Sequence, residues 1–252
     1  MTKRPVLLHC SYHKCMTVYT KRVLQALFNR LLFFYRGRYR HFRSNVDVFY
    51  ANLKRYRLLS LNNCFPDLKR LGDFRMTRFI RDPRDLITSG YFYHRDCNEK
   101  WTVFPDPGDE NFRVVNGCVP TGLKQGESYR DYLNRVPLED GLIAEIQFRK
   151  YHFDSMMKWP AHDPRIHVFR YEETLGQEKK VFREMFEFYE LSEPTIRFGL
   201  FFAGRYAVKP SGKVHRHVRD PRTGQWHEYF TESVSGYLEE HHPDLISQLG
   251  YE

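Results

Sequence analysis

A lysine in a short loop between an apolar run and a helix start makes a site for an anion, and this chain has one within its first twenty residues. The stretch Val6 to Tyr19, VLLHCSYHKCMTVY, reads as a buried strand at Val6, Leu7 and Leu8, a loop holding Lys14, and a helix beginning at Thr17. Backbone N–H groups at a helix start, with a lysine ammonium beside them, favour a dianionic phosphate or a sulfated phosphate. The pattern G-x-x-x-x-G-K-[ST] is absent: no glycine precedes Gly37 and Lys14 stands at the start of the loop, so this is not a nucleoside-triphosphate loop. A second set follows at Arg81-Asp-Pro-Arg-Asp-Leu-Ile-Thr-Ser. Phe74 to Ile80 reads as a strand, Asp82 can cap a helix and Pro83 suits its first turn. Arg81 then stands at the carboxyl end of a strand, where ligands collect in parallel sheets. Ser89, eight residues on, lies about 12 Å along the helix axis, so a phosphate that touches both must bridge strand end and helix side.

The elements that must hold these residues are legible as apolar patterns. Val23, Leu24, Leu27 and Leu31 form one helix face after the first loop. Arg57 to Leu61 and Ile166 to Phe169 read as further strands, the latter leading through Arg170-Tyr171-Glu172-Glu173 into an amphipathic helix with Val181, Phe182, Met185, Phe186 and Tyr189 inward. The segment RGRYRHFRSN is dense in arginine and aromatics. It is either a polyanion patch or a solvated loop, and the loop is favoured because basic residues elsewhere are interspersed with acids. Between His94 and Leu138 lies a stretch rich in Gly, Pro and polar residues, with Trp101 and Phe104 isolated in it; a long irregular insert of this kind reads as a lid over an acceptor site. From Ser128 to Trp159 the pattern is helical again, with Ile143, Ile146, Phe153, Met156 and Met157 as core. The expectation is one α/β domain over residues 1–252, with a central, mainly parallel sheet flanked by helices and the insert at 94–138.

A formal net charge of +9 means that the surface attracts anions: nucleic acid, an anionic membrane or a phosphorylated small molecule. Five cysteines, at 10, 15, 64, 97 and 118, are an odd number without a CxxC pair, so neither a disulfide framework nor a zinc site is indicated. The N-terminal apolar run is too short for a secretory signal, and the longest apolar cluster, Leu31 to Tyr35, cannot cross a bilayer. A soluble, cytoplasmic protein is expected.

With these residues in place, the chain resembles a PAPS-dependent sulfotransferase, a family that moves a sulfuryl group from 3′-phosphoadenosine 5′-phosphosulfate (PAPS). That family's 5′-phosphosulfate loop is Pro-Lys-[Ser/Thr]-Gly-[Thr/Ser]-[Thr/Ser]-Trp, and the first loop is similar, with Lys14, Thr17 and Tyr19 on the lysine, hydroxyl and tryptophan positions and Met16 where glycine is usual. The family's 3′-phosphate motif, Arg-x-Pro-x-Asp-x-x-x-Ser, is matched at every fixed position by RDPRDLITS, which implies that Arg81 and Ser89 take the 3′-phosphate. Tyr171-Glu172-Glu173 resembles the segment whose tyrosine lies beside the adenine; the other reading of Tyr171 is a core residue. Near the C-terminus, HRHVRDPRTGQWHEYFT resembles Arg-Lys-Gly-x-x-Gly-x-Trp-Lys-x-x-Phe, a loop that folds over the nucleotide. Arg219, Gly224, Trp226 and Phe230 keep its spacing, while Asp220 and Pro221 replace Lys-Gly and His227 replaces a lysine. Pro221 has no N–H to offer a phosphate, a loss for which Arg222 could compensate.

The resemblance implies a P-loop NTPase-like sulfotransferase fold, PAPS as donor, adenosine 3′,5′-bisphosphate (PAP) as product, no metal, and a small-molecule or carbohydrate acceptor. Lys14 and the backbone N–H groups of Cys15, Met16, Thr17 and Val18 would meet the charge that builds on the leaving phosphate. If residue 16 needs a positive φ, methionine there is strained by about 1 kcal/mol or more. Many members take their base from a histidine in a Lys-Thr-His context, and the corresponding SLNNCF has none. His94, beside the insert, and His13, next to Lys14, are the candidates, with Glu99 a further one. The rivals are a P-loop kinase using ATP and a basic nucleic-acid-binding protein.

Overall fold

Five short strands form one parallel sheet: β1 (Val6–Ser11), β2 (Tyr39–Phe42), β3 (Leu58–Asn62), β4 (Phe74–Ile80) and β5 (Ile166–Arg170), in the order β2-β3-β1-β4-β5. The computed structural model that shows this describes residues 5–31, 38–207 and 220–252. Residues 32–37, with most of the apolar cluster Leu31–Tyr35, and 208–219, with Arg219, lie outside it, as does the side chain of Leu31. The chain divides into two compact units, Met1–Ile80 with Pro160–Gly212, and Arg81–Trp159 with Lys213–Glu252.

The first unit holds the sheet. Leu7, Leu8 and Cys10 of β1, Leu58, Leu59 and Leu61 of β3, and Phe74, Met76 and Phe79 of β4 are all buried, as continuous apolar strands covered on both faces must be. One chain of polar side chains crosses this layer. His9 Nδ1 lies 3.0 Å from the Thr77 hydroxyl, which bonds the Tyr189 hydroxyl, and Tyr189 in turn donates to the Leu8 carbonyl at 2.6 Å. The helix Thr17–Gln25 buries Val23 and Leu24, and a wider π-helical turn over Ala26–Leu31 carries the buried face on through Leu27 and Phe28. It packs against the helix Glu193–Tyr206, which packs on Glu178–Phe188. A Cβ on Gly199 would stand 2.2 Å from the Phe186 ring, so only glycine lets these two helices approach so closely.

β2 corrects the sequence reading. The arginine-rich segment is no loop at Tyr39–Phe42 but an edge strand that buries Tyr39 and Phe42 and exposes Arg40. The topology also places a switch: β1 connects toward β2 and β3 on one side, whereas its other neighbour, β4, pairs onward with β5. Ligands bind parallel sheets outside the carboxyl ends of strands at such a point, which is where the loop after Ser11 leaves the sheet.

The second unit is helical. Asp82 caps the helix Pro83–Asp96 by accepting the Arg84 N–H, and Pro83 occupies the first turn, as the sequence indicated. This helix packs on Tyr129–Arg135 and Leu138–Phe148, and Glu232–His241 packs on the latter. Residues 94–138 are less irregular than expected: they contain the short helices Lys100–Val103 and Asp109–Arg113 and the whole of Tyr129–Arg135. Trp101 is no isolated aromatic but a core residue, stacked on Phe148 at 5.2 Å and edge-on to Phe112, while Phe104 is exposed. Ile146, Phe153 and Met156 are buried as expected; Ile143 and Met157 are only half-buried. All five cysteines are free thiols. Among the described residues no helix is long and apolar enough to cross a membrane.

Candidate functional site

In the sheet unit the loop after β1 makes two left-handed turns within three residues. Lys14 has φ 71° and Met16 φ 54°, with the wholly buried Cys15 between them. The Cys15 N–H donates to the Tyr12 carbonyl at 2.9 Å, so this group, expected to serve an anion, is spent inside the loop. Met16 is the N-cap of the helix Thr17–Gln25, and no side chain caps that N-terminus. The first N–H groups of the helix, those of Thr17 and Val18 among them, therefore stay available to an anion. Met16 does occupy the conformation for which glycine is usual, at a cost of about 1–2 kcal/mol.

Beneath the loop a polar cluster fixes its shape. The Thr17 hydroxyl lies 3.0 Å from the Tyr12 carbonyl, 3.0 Å from the Ser11 hydroxyl and 3.1 Å from Asn62 Oδ1, and Ser11 also donates to Asn62. The His13 N–H donates to Asn63 Oδ1 at 2.7 Å. Asn62 ends β3, so the end of β3 props the loop after β1. Thr17 thus works inward as well as at the helix start. Lys14 and His13 are half-buried. Tyr19, on the tryptophan position, donates to the Ala203 carbonyl at 2.8 Å and meets the Phe182 ring edge-on. Its hydroxyl is committed to packing. Tyr171 is buried and opens the short helix after β5.

In the helical unit the second set is organised around a residue that sequence reasoning passed over. Asp85, 1% exposed, accepts the Gly224 N–H at Oδ2 (2.8 Å) and the Trp226 N–H at Oδ1 (3.1 Å). Arg81 Nη2 lies 3.7 Å from the same carboxylate and donates to the Arg222 carbonyl at 3.4 Å. One carboxylate thus ties the C-terminal loop to Arg81 and to the helix that carries Ser89. Gly224 is in the left-handed region, φ 72°, which suits glycine. The Arg84 guanidinium lies 3.8 Å from the Trp226 ring centre and is itself held by Asp82, which explains why a tryptophan sits at that spacing. The only signal of Asp85 in the sequence was its fixed place in the motif; its partners lie 139 and 141 residues away.

Three expectations change here. Arg222 does not replace the lost loop contacts: its guanidinium is exposed and engaged by Asp220 at 2.8 Å and Glu228 at 2.9 Å, and these hydrogen bonds raise its pKa further. The Gly224 N–H points to Asp85 and is not on offer to a nucleotide. His94 is fully buried, 2.8 Å from Glu145, with the rings of Trp101, Tyr129 and Phe148 within 6 Å. A side chain with no exposed surface cannot receive an acceptor's proton in this arrangement, so His94 is a core residue. Glu145 also pairs with the buried Arg149 at 2.8 Å. Burial works to raise the Glu145 carboxyl, but His94, Arg149 and the Tyr129 hydroxyl outweigh it and hold it low. Burial in turn lowers the Arg149 guanidinium. Ser89 is half-buried on its helix, and its hydroxyl makes no hydrogen bond among the described residues. Among the described residues no three His, Cys, Asp or Glu side chains gather as a metal site.

Residues 3–250 match the family described as Sulfotransferase domain. Among solved structures the chain is similar to a mouse sulfotransferase, SULT7A1, complexed with PAP, at 15% identity over 100% of this chain and 87% of that one, with a TM-score of 0.52. A retinol dehydratase in complex with androsterone and inactive cofactor PAP matches at 16% identity over 98% and 82%, with a TM-score of 0.49. The likeness to the mouse protein is one of fold. Comparison with curated proteins finds no match.

Proposed function

The chain belongs to the sulfotransferase domain family, and on that premise we propose how its own residues divide the transfer of a sulfuryl group from PAPS to an acceptor hydroxyl or amine. Lys14 and the N–H groups at the start of the helix Thr17–Gln25 hold the phosphosulfate end. Arg81 and Ser89 hold the 3′-phosphate, and Asp85 keeps the loop 220–226 in place beside them. Tyr171 lies against the adenine. In the transfer the acceptor oxygen forms a bond to sulfur, the bond from sulfur to the 5′-phosphate oxygen breaks, and the acceptor's proton passes to a base. Lys14 meets the negative charge that the departing phosphate gathers, where a fixed cation lowers the barrier most. With His94 in the core, His13, half-buried beside Lys14, is the histidine left for the proton.

The observation that carries this division is a buried Arg81 just before the helix Pro83–Asp96 and, on that helix, a Ser89 whose hydroxyl has no partner among the described residues, with Asp85 between them fixing the second loop of the same half-site. The two compact units serve as one catalytic domain, in keeping with a family match that runs through both. Residues 94–138 cover a small-molecule or carbohydrate acceptor, with Phe104 as the aromatic left exposed for it. A reducing cytoplasmic setting suits five free thiols. The test is incubation with sulfur-labelled PAPS and a panel comprising an aromatic alcohol, a steroid alcohol and a carboxylated polysaccharide. Labelled product with the wild type and none with Lys14→Ala supports the reading; no product from any acceptor class opposes it.

A further inference from the structure

The two most exposed large apolar side chains among the described residues, Phe201 (60%) and Phe198 (53%), stand three residues apart on the helix Glu193–Tyr206 of the sheet unit. This helix has two faces. Ile196, Gly199 and Ala203 are buried on the side that packs against its neighbours. On the other side Glu193, Arg197, Phe201 and Arg205, spaced by four, form an exposed row, with Phe198 and the half-buried Phe202 in the row beside it. All of these but Arg205 line a cleft of about 720 Å³. A lone exposed phenylalanine is ordinary, but rings gathered beside a cleft mark a surface that meets something.

The charges along the row say what that is. Glu193, at the helix start, lies 3.1 Å from Arg197 and 3.2 Å from Arg183 of the neighbouring helix. Arg205, near the helix end, is exposed and makes no ion pair or hydrogen bond among the described residues. The face therefore carries an acid at one end, an uncompensated cation at the other and rings between them. A surface of that pattern is complementary to itself when one copy is turned end for end. A lipid surface fits less well, because insertion of the rings would carry the Glu193 carboxylate toward the acyl region with them.

We propose that this face binds a second copy of the chain, the two helices running antiparallel about a two-fold axis that passes between Phe198 and Phe201. About that axis Phe198 meets the partner's Phe201, and Arg197 comes over the partner's Phe202 ring, a cation–π contact. Glu193 comes within one residue, about 1.5 Å along the axis, of the partner's Arg205. Each contact is made twice by symmetry, and the antiparallel helices bring opposite ends of their dipoles together. Arg205, without a counter-charge in one copy, gains one from the other. A single helix face is a small interface, so association falls in the micromolar range. The proposal does not rest on the sulfotransferase reading.

The test is sedimentation equilibrium of the full chain from low to high micromolar concentration, on the wild type, Phe201→Glu, Glu193→Arg, Arg205→Glu and an equimolar mixture of the last two, with thermal melting of each as a check on the fold. The wild type should pass from monomer to dimer. Phe201→Glu should weaken the dimer about tenfold or more while its melting in dilute solution stays that of the wild type. Glu193→Arg and Arg205→Glu each set like charges opposite one another and should associate more weakly than the wild type; mixed, they set opposite charges together at both ends and should recover the dimer. A wild type that stays monomeric throughout, a dimer indifferent to Phe201→Glu, or a mixture that associates no better than its components would each overturn the proposal. So would a monomeric wild type that co-sediments with phosphatidylcholine–phosphatidylserine vesicles and loses them with Phe201→Glu, which would give the face to lipid.

Discussion

The carboxylate of Asp85 accepts the backbone N–H of Gly224 at 2.8 Å, across 139 residues of chain. With the Trp226 N–H on its other oxygen and Arg81 beside it, this buried group fixes a loop to a helix from both sides. Asp85→Asn keeps the shape but loses the charge facing Arg81 and replaces one acceptor oxygen with a donor. It should weaken PAP binding by about 1.5–3 kcal/mol, the range for a hydrogen bond to a charged group. Calorimetric titration of the variant beside the wild type measures this. An unchanged affinity would make Asp85 a purely structural tie.

Met16 holds a left-handed conformation that glycine adopts without strain. Met16→Gly should raise the unfolding free energy by about 0.5–1 kcal/mol, the relief of strain less the entropy that glycine gains in the unfolded chain. Urea denaturation measures the gain, and PAPS turnover should be retained. A loss of stability would mean that Met16 packs more than it strains.

The buried group of His94, Glu145 and Arg149 should report on stability, not on catalysis. Glu145→Gln leaves Arg149 buried without its counter-charge and should cost about 3–5 kcal/mol. His94→Gln should lower the melting temperature while the surviving folded enzyme keeps the wild-type pH–rate profile. If the acidic limb of that profile vanished with His94, the base would be His94 after all.

Acid should destabilise the fold well above the range of its carboxylates. Burial, followed by the charge of His41, pushes His9 down to about 3; burial, followed by Arg149, does the same to His152; His41 falls to about 4. Each pKa is lowered in the folded state, so between the unfolded value of 6.5 and these values the unfolded chain binds protons that the folded chain refuses. Stability is therefore full above pH 6.5 and falls steadily as pH drops toward 4. Denaturation midpoints at pH 7.5, 6 and 5 should decrease in that order, and His152→Gln should flatten the slope. A flat profile would show that these rings are not neutral in the fold.

The parts legible in the sequence were those whose signals are local. The strand Phe74–Ile80 and the capped helix start at Asp82 and Pro83 were readable because run, cap and proline are neighbours. β2 was missed because only Tyr39 and Phe42 of its four residues point inward and the arginines around them dominate the pattern. Nothing local shows which way a helical side chain faces, so His94 looked like a base and Trp101 like part of a lid; their partners Glu145 and Phe148 lie some fifty residues on. Asp85 was invisible as a latch for the same reason. Its partners are backbone N–H groups, which no residue type announces.

The most direct test of the central claim is calorimetric titration with PAP, AMP and ATP of the wild type, Arg81→Ala and Arg222→Ala. PAP should bind at micromolar or better and AMP should fail. Arg81→Ala should weaken PAP by more than about 1.5 kcal/mol, as loss of a charged partner does, whereas Arg222→Ala, its guanidinium already engaged by Asp220 and Glu228, should leave binding nearly unchanged. ATP with Mg²⁺ binding as tightly as PAP, or an Arg81→Ala variant that binds PAP like the wild type, would contradict the account.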